Sequence, residues 1–99
     1  MYAAHFDNVS DISLKTNINS LTNGLEIIKS LNPVSFNWKD TNQKSFGLIA
    51  QEVEKILPEI VKYQESDKIK TVSYIQIISL LISAIQEQQK QIDNLNNKA

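Results

Sequence analysis

Ser10-Asp11-Ile12-Ser13-Leu14-Lys15, near the start of the chain, sets hydroxyls, a carboxylate and an amine within six residues. A serine hydroxyl becomes a competent nucleophile only when a base takes its proton. A lysine amine serves as that base only where burial or nearby positive charge lowers its pKa from about 10.4 toward neutrality. Lys15 would therefore need a dry pocket. On residue types alone, the stretch also reads as a capping or Asx-turn pair followed by a solvated lysine. His5, with Asp7 close by, is a second candidate base for Ser10, but a single histidine in an N-terminal arm reads more readily as a bystander. With no cysteine and no calcium-loop spacing of acidic residues, neither a metal nor another cofactor is expected.

Composition bounds the elements that must hold these residues. Ninety-nine residues make one domain, and 41% hydrophobic content suffices for a core. A net charge of −1 without long basic runs argues against a nucleic-acid partner, since phosphates call for clustered Lys and Arg. No stretch is apolar for the roughly 18 residues of a membrane span, and Met1 to Val9 lacks the layout of a signal peptide, so no membrane partner is expected. Residues 1–9 have no clear period and read as an extended arm, the end of something longer.

The most strongly patterned stretch is the last quarter, Thr71 to Leu95, which reads as one long helix. Ser73 and Gln76 have the form of a capping box, and Val72 and Ile77 that of a hydrophobic staple. With Ile78, Ile85 and Ile92 at heptad position a, Leu81, Gln88 and Leu95 fall at d, the repeat of a left-handed coiled coil. Ile75, Ile77, Leu80 and Ile82 add apolar surface outside this seam, so the first half should pack in a globular body and the second project. Ile at a with Leu at d leans toward two strands, and the interrupting Gln88 weakens that preference. Periodicity gives an oligomer, not its order. Gln86, Gln89 and Gln91 read as a polar outer surface.

Between arm and tail, Leu21, Leu25, Ile28 and Leu31 recur at helical spacing, with Thr22 or Asn23 as cap and Asn32-Pro33 as stop. Val34, Phe36 and Trp38 alternate with polar residues on a strand, and a turn at Asp40 to Lys44 leads to a second strand over Ser45 to Ile49. Trp38, Phe36 and Phe46 read as core packing rather than a ligand surface. Ala50 to Leu57 predicts a helix, and Ile60 to Gln64 with Lys68 to Val72 a hairpin without an Asn-Gly turn. The expected fold is α+β: small strands and a hairpin packed on short helices, with a long C-terminal helix.

These strings in this order resemble the chaperone of endosialidase family, the C-terminal intramolecular chaperones of phage tailspikes and fibres. The matching residues are Ser10-Asp11 with Leu14-Lys15, Leu31 to Lys39, Phe46-Gly-Leu-Ile-Ala-Gln-Glu-Val-Glu54 with Leu57-Pro58, and Val72 and Tyr74 leading to Leu80-Leu81 and Ala84-Ile85. The resemblance implies a homotrimeric coiled coil and a partner in the fibre or β-helix upstream in the same polypeptide. It further implies a virion fibre or appendage precursor assembled in the host cytoplasm. Residues 1–9 would then be the end of the client, 10–72 the body and 73–99 the trimerisation helix. The resemblance also implies a cut between Val9 and Ser10, with Ser10 as nucleophile, Lys15 as its base, and Asp11 and Asn8 in support. Where the family usually has arginine, this chain has Ser13. The competing expectations are a permanent, non-catalytic trimerisation module and a coiled-coil adaptor for some other helix.

Overall fold

A computed structural model describes residues 8–98, so His5 and Asp7 lie outside the described residues. The fold is α+β. After a 3₁₀ turn at Ile12–Leu14 come α1 (Gly24–Ser30), β1 (Val34–Asn37), β2 (Lys44–Gly47) and α2 (Ala50–Ile56). A second 3₁₀ turn, Pro58–Ile60, leads to β3 (Val61–Gln64), β4 (Ile69–Val72) and α3 (Tyr74–Asn97). The strands form two separate antiparallel hairpins, β1 with β2 and β3 with β4.

The centre of the core is Val53, Ile60 and Ile77, with Ile28, Leu31, Leu48, Leu57, Val61 and Val72 packed round it. One apolar cluster thus joins α2, the β3–β4 hairpin and the first turns of α3, and a Lys70–Glu54 ion pair at 2.5 Å ties β4 to α2. The β3–β4 turn needs no Asn-Gly because Lys68 takes the left-handed conformation itself, at φ 57°. Tyr74, the first residue of α3, holds the other hairpin: its hydroxyl oxygen accepts from the Leu48 amide at 3.1 Å. A Cβ on Gly47 would lie 2.8 Å from that hydroxyl, which is why the close approach needs glycine.

Three expectations are corrected. Ser73 caps α3 without bonding its backbone amides; its hydroxyl accepts from the Gln76 side chain at 3.2 Å, so the reciprocal box is not formed. The first helix starts at Gly24 with Asn23, one of the two expected caps, as its N-cap; what is corrected is Leu21, which lies in the approach to the helix rather than on its apolar stripe. The third concerns the aromatic residues. Trp38 is 54% exposed and Phe46 76% exposed, so neither is core. Register explains Phe46: it pairs with Ser35, which places it on the face opposite Val34 and Phe36, with the Lys44 ammonium 5.7 Å above its ring. Trp38 lies just beyond β1, its ring in a T-shaped contact with that of Phe36 at 4.9 Å between centroids.

On α3, Ile77, Leu80, Ser83 and Ala84 are buried, and α1 packs along this stripe. Gly24 meets the helix at the Leu80 carbonyl and Ser83. Glu87 extends the same stripe, its Oε1 accepting from the Leu25 amide at 3.3 Å. Ile78, Leu81, Ile85, Ile92 and Leu95 are all exposed, on a face rotated by about a third of a turn from the packed one. From Gln88 to Lys98 every residue is exposed, so the second half of the helix stands clear of the body.

Candidate functional site

The local turn after Ser10 is built by Asp11. Its Oδ1 accepts from the Ser13 amide at 2.8 Å, capping the short 3₁₀ helix. The Leu14 amide then donates to the Asp11 carbonyl at 3.2 Å and that of Lys15 to the Ile12 carbonyl at 3.1 Å. This single tight turn reverses the chain enough to bring Lys15 back over Ser10, and its Nζ donates to Ser10 Oγ at 2.7 Å. Sequence spacing alone does not bring residues five apart together on a regular helix, where neighbours are three or four apart. The cap creates the contact.

The Ser13 amide bond also holds the Asp11 carboxyl below the usual carboxylate range, with a second contribution from the Ser13 hydroxyl. Because folding the turn depresses this pKa, the charged form favours the turn. That contribution is complete above the ordinary carboxylate range and fades as the pH falls through Asp11's own, lower value. In a pH titration the Ser13 amide resonance should move with a midpoint below that of an unstructured aspartate. In Asp11→Ala the inflection should vanish; an unshifted midpoint in the parent would contradict this role for the cap.

Ser10 and Lys15 are both exposed, as is every residue from Asn8 to Asn23. Val9 is 78% exposed, so its peptide bond to Ser10 is open to solvent. Asn17, at φ 52°, turns the chain, and the Asn19 side-chain amide donates to the Asn17 carbonyl at 3.0 Å. The arm reaches the body at Leu21, whose carbonyl accepts from the buried Ser83 hydroxyl at 3.4 Å. The single chain thus supplies the hydroxyl–amine contact but not the dry pocket that proton transfer to a lysine requires. Among the described residues no group of His, Asp and Glu is arranged to hold a metal ion.

The family model described as chaperone of endosialidase, and named as peptidase S74, matches residues 10–62, beginning at Ser10 itself. The chain belongs to the chaperone of endosialidase family. This family match ends at Lys62, ahead of α3. Curated relatives extend the likeness. The chain is similar to the long tail fiber protein Gp37 of Enterobacteria phage K3, 31% identical over 90% of this chain and 8% of the relative. To the same-named protein of Enterobacteria phage M1 it is 38% identical over 92% of this chain and 41% of the relative. The chain therefore spans less than half the length of these fibre proteins.

This endosialidase-chaperone domain carries two features that the sequence reading missed. One is Gly24 as the closest point of approach between α1 and α3. The other is Glu87, which closes the start of α1 from the outside; Asn23 is the N-cap but offers no side-chain bond. The Asn23-Gly24 pair was a visible signal for the start of the helix, but its packing partner lies some sixty residues away, beyond any local pattern. No helix among the described residues is long and apolar enough to cross a membrane.

Proposed function

We propose that this domain is a homotrimeric C-terminal intramolecular chaperone for an upstream viral fibre, and that it releases itself by one cut between Val9 and Ser10. The observation that carries the assembly is the division of α3: one stripe holds the body, while the heptad face Ile78–Leu81–Ile85–Gln88–Ile92–Leu95 is left outward. Three such faces bury one another as a coiled coil. The similarity to long tail fibre proteins supports the upstream client and a place in a virion appendage precursor, assembled in the host cytoplasm. Residues 1–9 are then the client's end, 10–72 the body and 73–99 the trimerisation helix.

The benefit is kinetic. Intertwined fibres depend on non-local contacts, which form slowly, and joining three chains early at one end raises their local concentration. Removing the domain afterwards leaves the fibre held by its unfolding barrier.

In the cut, Ser10 Oγ adds to the Val9 carbonyl carbon as its proton passes to Lys15 Nζ, across the 2.7 Å contact. Asn8 or backbone amides steady the oxyanion. The Val9–Ser10 C–N bond breaks, the Ser10 nitrogen takes a proton, and the acyl group rests on Oγ as an ester. Water then hydrolyses the ester to a Val9 carboxylate and a free Ser10 hydroxyl. Neighbouring copies provide the desolvation of Lys15, which makes cutting contingent on assembly. The second reading, a permanent trimerisation module, is favoured by the exposure of both residues in the single chain.

Intact mass after denaturation tests this on a chain carrying its native upstream segment. The parent should yield a fragment beginning at Ser10, while Ser10→Ala and Lys15→Ala stay full length with unchanged folding, since both side chains are solvent-exposed. Three full-length trimers would remove the cut and leave the permanent module. A parent that sediments as a monomer at micromolar concentration would remove the trimer and favour the adaptor.

A further inference from the structure

Gln88 is the residue of α3 that neither the packed stripe nor the apolar seam accounts for. It stands in the seam, one turn after Ile85 and one before Ile92, and it is exposed. Its neighbours are engaged: Glu87 with the Leu25 amide, Gln89 with Asp93 at 2.9 Å. The Gln88 side-chain amide makes no hydrogen bond among the described residues.

The surroundings of the seam say what covers it. At the flanking heptad positions stand Ile82, Gln89 and Asn96 on one side and Ile77, Ala84 and Gln91 on the other, none of them charged. Within α3 the charged residues near and along the projecting half, Glu87, Lys90 and Asp93, fall at c, f and b, facing away; Lys98, at the next g position, is the C-cap, beyond the last layer at Leu95. An identical helix laid on this face meets no like charge, so the electrostatics fit a second and third copy of this chain. The same absence of flanking charge leaves no ion pairs to fix how the copies align, which is the usual device. The apolar layers are all Ile or Leu, and each accepts another as readily as itself. Only Gln88 differs.

We propose that Gln88 is the register lock of the assembly, an inference that rests on the trimeric reading above. In a parallel, in-register trimer the three amides share one layer, each NH₂ donating to the next carbonyl round the axis, so the ring closes on itself. A slip of one heptad sets each amide against Leu81 or Leu95, and an antiparallel helix sets it against isoleucine. Both bury amides without partners, which is strongly unfavourable. The polar layer weakens the coiled coil and in return selects one alignment. Because the body sits on α3 and the upstream chain on the body, aligned helices deliver three upstream chains at the same height.

The chain has no cysteine, so one introduced as Asn97→Cys takes a single nitroxide label on the projecting end. Pulsed dipolar spectroscopy of this otherwise unaltered chain should give one narrow inter-label distance. Adding Gln88→Leu should raise the melting temperature and keep the oligomer in sedimentation. It should also introduce longer distances, a one-heptad slip displacing the labels by about 10 Å, until the in-register species is roughly half of the population or less. Gln88→Asn, which keeps an amide in the layer, should retain the single distance. A Gln88→Leu trimer as narrow as the parent overturns the lock and leaves the trimer standing. A monomeric parent overturns the trimer and the lock with it.

Discussion

The Ile85→Asp variant should sediment as a folded monomer at micromolar concentration, while Ala84→Asp, one residue earlier, should fail to fold at all. The two positions sit on different faces of α3. Ile85 is 64% exposed in the single chain, so a carboxylate there is solvated and leaves the body intact. In the trimer the same substitution removes an apolar side chain from each copy, about 1.5–3 kcal/mol apiece, and gathers three like charges near one axis. Ala84 is only 4% exposed, in the stripe that α1 packs along. A carboxylate at that depth is cut off from water, and burying an unpaired charge destabilises by more than a small domain can absorb. Circular dichroism would separate the outcomes: native helicity for Ile85→Asp, little for Ala84→Asp. A trimeric Ile85→Asp would show that α3 does not associate through this face.

Gly24→Ala should lower the melting temperature by about 8 °C or more. A Cβ on Gly24 would lie 2.6 Å from the Leu80 carbonyl oxygen and equally close to the Ser83 Cβ and Oγ. The Ser83 side chain is short, and the carbonyl belongs to the helix itself, so neither yields without α1 moving off α3. Overpacking of this kind costs about 1–3 kcal/mol. Displacing α1 also forfeits the Leu25–Glu87 bond. Alanine's better helix propensity returns at most about 1 kcal/mol, so the clash wins. In a domain of this size 1 kcal/mol corresponds to roughly 4–8 °C. Melting must be compared at one protein concentration, because association adds to apparent stability. Ser83→Gly in the Gly24→Ala background should recover part of the loss, since it removes two of the three close contacts but not the carbonyl. A Gly24→Ala protein melting with the parent would mean that α1 does not press on α3 as described.

The sequence announced most of the elements because their signals are local. Alternation gave β1, apolar periodicity gave α2 and α3, and Pro33 and Pro58 marked stops. What it concealed depends on partners distant in the chain. Phe46 alternates properly within its own strand, but which face it shares is decided by pairing with Ser35, and register cannot be read from either strand alone. Lys68 offers no turn signature because the left-handed conformation it adopts is one that lysine seldom takes. At the candidate site, the roles of Ser10 and Lys15 rest on family resemblance. Their contact follows from Asp11 acting as a cap, a role visible in sequence only as one of two competing readings of Ser-Asp. The seam was legible as a period; that α3 divides it from the packed stripe was not, since that follows from where α1 docks.

The joint at Leu21 has a mechanical meaning. Tension applied at residue 8 would first draw out the exposed stretch to residue 20, which can extend to roughly 40 Å. Only then would it load the Leu21 carbonyl and the Ser83 hydroxyl that holds it. One hydrogen bond peels rather than shears, so the load would detach the arm long before it disturbed α1 or the core. The arm is thus a slack coupling: whatever precedes it can turn and settle while the body keeps its seat on α3.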